Sequence, residues 1–378
     1  MRNTASSVGR VTRLPIIATA IAIASLSGTS ADVQTTLGSP ALEGAHLPGK
    51  RDRPAGTVWV VNRDLGQLAI FDAGRGKLLK TLPVGAGAHD VCISERARKA
   101  YITAEADNAV TAVDTETLVT ESIPVSPLPH HCEPSHDGRT IYVSLASHPV
   151  AGAPVAAPQY AAIDTRDHSV TYMPTSHNPA ARSHGVTPER DKLYVAHDTG
   201  NELTGIDLET GGIDFSIPNI LRAEEVVASR SGDELWVSSR GDGSVKRIDL
   251  DLDPPAITAS VPVGVQPESM MLTPTERTLV LSMRGSPASL GFVDTRSVDT
   301  VTPLVQLIPI AGTGTFGDLA VMTPNGRYVF ATYDRGLPPN KGGVVVVDVL
   351  TRQIVNWWEY PGEGRPHGIW YSKKAARF

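Results

Sequence analysis

Aromatic residues are scarce: Phe, Trp and Tyr make up 5% of the 378 residues, and the chain has only two cysteines. Positive charge is not in excess either, with 34 Lys and Arg against 40 Asp and Glu and a formal charge of −6. That balance leaves no broad basic footprint and argues against a nucleic acid as the main partner. The absence of CxxCH removes covalent haem attachment of the c type, and no HExxH or compact Cys/His motif announces a metal. GTGTFG, before Asp318, lacks the following helix and lysine of a phosphate loop and reads as a turn. Long apolar runs are missing: the longest, LPIIATAIAIAS, is too short for a membrane span.

That run has a context of its own. Arg2, Arg10 and Arg13 precede it, and Thr29, Ser30 and Ala31 offer a small-residue cleavage site after it, the grammar of a secretory signal over residues 1–31. No cysteine follows that would carry a lipid anchor. The expected location is periplasmic or secreted, with no membrane span once the signal is removed. Residues 32–56, rich in Gly, Pro and charge, read as a flexible linker, and the folded part is expected over 57–378.

Gly (34) and Pro (29) are plentiful, as are Val and Thr, the mixture of many short strands joined by tight turns. An apolar residue followed by Asp recurs at Phe71-Asp72, Val113-Asp114, Ile163-Asp164, Ile206-Asp207, Ile248-Asp249, Val293-Asp294 and Val347-Asp348. Upstream of each lies an alternating run such as VWVVN, AYITA, IYVSL, LYVAH or LWVSS, whose period of two fits a strand. Seven repeats of about four strands each bury their faces best as blades around a central channel. The fold class expected is all-β, a seven-bladed β-propeller of four-stranded antiparallel blades. HGIWYS, at His367–Ser372, has no room after it for three more strands, while the segment from Thr57 has three strands and no innermost one. The two ends therefore complete one blade, which hides two sheet edges.

AYITAEADNAVTAVDTET, LLKTLPVGAGAHDVCIS and PHHCEPSHDGRTIYVS resemble the repeats of the YVTN family of seven-bladed β-propellers, and the resemblance spans Thr57–Phe378. It specifies a fold more closely than an activity, because that family and its relatives include binding proteins, lactonase-like enzymes and cofactor-holding domains.

Aligning the repeats on the Ser or Thr after each innermost strand, and stepping back five residues, places one residue per blade at the channel mouth. These are His89, His130, Glu224, Glu268, Asp318 and His367, with either Arg182 or His184 in blade three; SHGV resembles PHGI and favours His184. A second ring, four residues beyond the anchor of each second strand, comprises Arg63, Glu105, Ala146, Asp198, Arg240, Arg284 and Asp334. Their charges compensate: Glu224 with Arg240, Glu268 with Arg284, His89 with Glu105, His184 with Asp198, and Asp318 and Asp334 beside His367 and Arg63. Such pairing is what a partly buried polar mouth requires, and it also serves simply to hold blades in register.

Three functional readings stay open. The first is a binding module whose mouth takes a small molecule or an exported protein partner through His89, His130, His184, Glu224, Glu268, Asp318, His367, Arg63, Arg240 and Arg284. The second follows from resemblance to propellers carrying haem d1 or a copper cluster, with His89, His130, His184 and His367 as ligands and Arg63, Arg240 and Arg284 near carboxylates. A lactonase-like or lyase enzyme is the third, in which Glu224, Glu268 and Asp318 bind a divalent metal ion and a histidine moves a proton. His89, His130 and His367 with those three acids form the candidate metal set.

Cys92 and Cys132 fall on the innermost strands of blades one and two, and a disulfide, two buried thiols, or soft-metal ligation by Cys132 beside His130 and His131 all remain open. The long Pro-rich turns ASHPVAGAPVAAPQ and DRGLPPNKGG are expected at the same mouth, as lids or as variable turns. His46, His136, His168 and His177 read as solvated.

Overall fold

The computed structural model describes residues 53–146, 159–179, 181–299, 305–310, 315–334 and 341–374. The expected signal, most of the linker, and large parts of both Pro-rich turns lie outside the described residues. Among the described residues no helix is long and apolar enough to cross a membrane.

Twenty-eight strands form seven antiparallel sheets of four. Blade seven is built from the chain's two ends: β28 (Pro366–Ser372), β1 (Thr57–Asn62), β2 (Gln67–Asp72) and β3 (Leu78–Pro83) lie in that order. Thr57 pairs with Ser372 and Trp59 with Trp370, so the ring closes by strand pairing. The last linker residues lie against the same blade, where Gly56 O accepts from Ala73 N at 3.0 Å. Blades one to six begin with the innermost strands β4 (Ala88–Ser94), β8 (Pro129–Pro134), β12 (Ser183–Glu189), β16 (Ala223–Ala228), β20 (Pro267–Leu272) and β24 (Phe316–Met322). Each innermost strand touches that of the next blade, and β28 touches β4, which completes the circle.

The second strands, such as β5 (Lys99–Ala104) and β17 (Glu234–Ser239), are buried on both faces because each blade is covered by two neighbours. Their apolar run is accordingly almost continuous. Outermost strands such as β3 alternate between exposed and half-buried positions, as a sheet with one wet face should. The core consists of clusters between blades: Phe71, Phe330 and Trp358 pack between blades six and seven, and Trp236 with Leu279 and Leu281 between four and five. Trp358 thus covers a blade face, as its outer-strand position suggests.

The recurrent Asp that marks each repeat closes a turn. Asp114 Oδ1 accepts from the backbone N–H of Glu116 and Thr117, Asp207 Oδ1 from Glu209 and Thr210, and Asp348 Oδ1 from Leu350 and Thr351. Such Asx turns pre-shape the link between third and fourth strands. Hydrogen bonding holds the Asp114 carboxyl below its usual range, and the Arg166 guanidinium holds Asp164 down to about 2.

A carboxyl whose pKa is depressed by folding adds stability above its unfolded pKa and loses it as pH falls through the folded one. The difference in melting temperature between the native chain and Asp164→Asn is therefore expected to be present at pH 5 and to vanish as the pH falls to about 2. Scanning calorimetry across that range checks it, and a pH-independent difference would refute the electrostatic account.

Candidate functional site

Every innermost strand has the same irregularity near its start. Pairing with the second strand shifts register between Ala88 and Val91, Pro129 and Cys132, Ser183 and Val186, Ala223 and Val226, Pro267 and Met270, and Gly317 and Ala320. Blade seven has its equivalent where Val60 and Asn62 face Ile369 and Pro366. A bulge of this kind leaves residues outside the ladder and re-aims their side chains. The first residue at each is the expected ring: His89, His130, His184, Glu224, Glu268, Asp318 and His367, all buried. In blade three His184 takes the ring position, while Arg182 lines the same cavity from the preceding turn.

The second residue at each bulge forms a lower tier, Asp90, His131, Gly185, Glu225, Ser269, Leu319 and Gly368, of which sequence reasoning named only His131, beside Cys132. Gly185 and Gly368 have no room for a side chain, since a Cβ would lie 2.5 Å from Glu224 O or Asp90 Cα of the next blade. That close approach explains the Gly following His in SHGV and PHGI.

Hydroxyls replace the ladder bonds that the bulges forfeit. Asp90 N–H donates to Thr103 Oγ1 at 3.0 Å, and Thr103 Oγ1 donates to the carbonyl of His130 in the next blade at 2.6 Å. Ser238 repeats this between Glu225 N (2.9 Å) and Glu268 O (3.1 Å). Thr332 donates to His367 O at 2.9 Å, and Ser282 donates to Asp318 O. A Ser or Thr next to last in the second strand, as in AYITA and LWVSS, was the available signal.

The ring divides into two arcs. His367, His89, His130 and His184, from blades seven, one, two and three, lie tilted against one another with successive ring centroids 3.9, 3.8 and 4.1 Å apart. Burial holds all four well below the usual imidazole range, so they are neutral at pH 7. The other arc alternates acids with arginines. Arg240 reaches Glu224 at 2.5 Å and Glu268 at 2.9 Å, Arg284 reaches Glu268 at 3.1 Å and Asp318 at 3.4 Å, and Arg365 reaches Asp318 at 2.8 Å. Burial raises the pKa of all three acids despite these partners. The arcs meet where His184 Nε2 lies 3.0 Å from Glu224 and His367 Nε2 lies 3.1 Å from Asp318.

The second ring contributes as placed, with two changes of partner. Arg63 binds Glu105 at 2.5 Å, while Asp334 is held by Arg365 at 3.3 Å rather than by Arg63. Asp198 is held by Arg222 at 3.0 Å and faces Arg182 at 3.6 Å, and His184 turns to Glu224 instead. Sequence reasoning missed Arg222 and Arg365, which lie outside the aligned positions. Ala146 is buried and contributes no charge.

Cys92 and Cys132 form a disulfide that ties blade one to blade two, so the sulfur of Cys132 is not available to a metal. His168, expected in solvent, instead packs edge-on against Tyr101 and lies beside Lys99 and Glu121, whereas His136 and His177 are exposed.

Two cavities lie on the axis. The mouth cavity, about 260 Å³, is lined by the four ring histidines, Arg63, Arg182, Arg222, Arg240, Arg284, Gln266, Asp198, Glu224 and Glu268. A larger one, about 870 Å³, opens beyond the lower tier between Asp90, His131, Glu133 and Glu225 and the apolar side chains of Met270, Leu319 and Ile369. Burial pushes the Glu225 carboxyl up to about 7 and that of Glu133 well above the carboxylate range. His131 behaves differently: burial disfavours its charge, but Asp90, Glu225 and Glu224 together outweigh that and lift it to about 9.

The residues at the mouth do not fit haem d1. The cavity is smaller than the roughly 300–1,000 Å³ of ordinary organic-ligand pockets, and its described wall is charged where a macrocycle needs apolar faces. Glu224, Glu268 and Asp318 are each engaged by guanidinium groups, while Glu224 Oε2 has no hydrogen-bond partner among the described residues.

Fold and axis together define a seven-bladed β-propeller whose channel has a polar mouth. No family model matches the chain, and no curated protein does. Among solved structures, it is similar to a functionally unknown protein from Desulfotomaculum acetoxidans, at 10% identity and TM-score 0.65, covering 84% of this chain and 99% of that one. It is also similar to the periplasmic gluconolactonase PpgL of Pseudomonas aeruginosa (14%, TM-score 0.62, 84% and 98% covered) and to the dihydro-heme d1 dehydrogenase NirN (18%, TM-score 0.58, 86% and 77%). At such identities the likeness is one of fold.

Two substitutions separate the roles of these groups. Thr103→Val strands the Asp90 N–H and the His130 carbonyl in a buried site and is expected to cost about 1–3 kcal/mol in denaturant unfolding. Arg240→Ala leaves Glu224 and Glu268 buried without their shared partner, for an expected loss of about 3–5 kcal/mol. Arg240→Ala with native stability would show that the arc carries no structural load.

Proposed function

We propose that the protein is an exported binding module that holds a small anionic molecule, such as a short-chain or sugar-derived carboxylate, in the mouth of its channel. The observation that carries this reading is the lining of the mouth cavity: five guanidinium groups against three carboxylates, beside four neutral imidazoles. Those carboxylates face guanidinium groups already, and burial shifts Glu224 and Glu268 toward their neutral forms. Arg182 Nε and Arg240 Nε are buried without a hydrogen-bond partner among the described residues, so neither guanidinium group is fully engaged by the protein. Guanidinium groups on rigid strand ends suit planar carboxylates, which they grip with two parallel bonds.

The small volume favours a compact ligand. Export is supported by the basic and apolar N-terminus and by the Cys92–Cys132 disulfide, a bond that persists in oxidising compartments.

Thermal unfolding in a panel of acetate, succinate, citrate, gluconate and phosphate tests the reading. At least one carboxylate is expected to stabilise the native chain, by about 2.7 kcal/mol at a hundredfold excess over its Kd. Arg284→Ala and Arg182→Ala should abolish that gain. If no anion stabilises the chain, or if both variants respond as the native chain does, the mouth is not an anion site.

A further inference from the structure

We propose that His89, His130 and His131 form a binding site for one late first-row transition-metal ion of the copper or zinc class, between the two tiers of the channel. The three imidazoles are buried, and one ring nitrogen of each lies within 4.8 Å of the others. His130 and His131 are consecutive in β8, where a regular strand would send them to opposite faces; the bulge between Pro129 and Cys132 lets both turn toward the axis. His89 occupies the equivalent bulge of β4, and the Cys92–Cys132 disulfide ties these two strands together beside the cluster.

The environment of the rings is that of metal-binding histidines. In each, one nitrogen faces a carboxylate: His89 Nε2 and His130 Nε2 lie 3.9 and 3.5 Å from Glu105 Oε1, and His131 Nδ1 lies 3.5 Å from Asp90 Oδ2. The other nitrogen in each, His89 Nδ1, His130 Nδ1 and His131 Nε2, is buried with no partner among the described residues. Asp90, 3.5 Å behind His131, orients that ring and strengthens its opposite nitrogen as a donor, while Glu105 places a carboxylate 3.5 and 3.9 Å from His130 and His89. Both carboxylates are themselves anchored, Glu105 by Arg63 and Asp90 by the N–H groups of Val91 and Cys132.

Three imidazoles suit copper and zinc rather than calcium or magnesium, which take oxygen ligands. Three nitrogens on one such ion at about 2.1 Å lie roughly 3.4 Å apart in a tetrahedral array, so the rings need to close by up to about 1.4 Å on metal binding. The site is distinct from the anion cavity in ligand chemistry and does not rest on that reading.

The test uses the full chain, stripped with chelator and titrated separately with Zn²⁺ and Cu²⁺ in buffer free of carboxylates and phosphate, so that its outcome is independent of anion binding. One equivalent is expected to survive desalting, measured by elemental analysis, and the Cu²⁺ form should show electron-paramagnetic coupling to histidine nitrogens. His131→Gln should weaken binding at least about tenfold, and Asp90→Asn about 10–100-fold as a positioning residue. The exposed His136→Ala should leave it unchanged. Retention of less than a tenth of an equivalent, a copper spectrum without nitrogen coupling, or equal binding by His131→Gln would each overturn the site. The native chain's stoichiometry and spectrum decide the matter even if a variant fails to fold.

Discussion

The channel depends on a single backbone device repeated around the ring, the bulge at the start of every innermost strand. It releases two residues per blade from the ladder and turns them toward the axis, creating unpaired backbone groups in the most buried part of the molecule. Buried peptide groups without partners are costly. In several blades a Ser or Thr of the second strand answers that cost by accepting from the bulge or donating to the next blade's ring carbonyl. The same hydroxyls therefore permit the bulge and join neighbouring blades, so the functional ring and the mechanical continuity of the propeller share one set of bonds.

Charge is then divided around that ring by a second constraint. Carboxylates this deeply buried need counter-charges, and blades four to six meet the need with guanidinium groups interleaved between them. Imidazoles tolerate burial by remaining neutral, so four of them pack tilted against one another across blades seven, one, two and three. The result is an axis with an ionic side and a neutral donor side, capable of presenting cations to an anion and lone pairs to a metal within one channel. The disulfide lies on the histidine side, where His131 of blade two also meets Asp90 of blade one at 3.5 Å.

Much of this was legible in the linear order of residues. The recurrent Asp identified the seven repeats because each carboxylate closes a turn of fixed length, and the unmatched strands at the two ends required a shared blade. Six ring residues, His89, His130, Glu224, Glu268, Asp318 and His367, could be counted because each sits five residues before a Ser or Thr at a repeated strand end, whereas His184 rested on the likeness of SHGV to PHGI. His131 was less accessible. In ordinary strand alternation it faces away from the axis, and only a bulge, which leaves no reliable mark in one sequence, brings it in beside His130. Arg222 and Arg365 escaped notice because they stand in connecting turns, outside the aligned strands.

The sequence by itself determined the architecture: the number of blades, the direction in which the ring closes, and which residue of every blade but the third meets the channel. These follow from local periodicity and turn chemistry, which act over a few residues at a time. Only the tertiary structure decided partnership. That Arg240 bridges two blades, that Cys92 reaches Cys132, and that three histidines bring nitrogens within 4.8 Å of one another depend on how far each blade is rotated against the next. That rotation is set by the packing of whole faces such as Trp236 on Leu279 and Leu281, a sum over distant segments that no local pattern encodes.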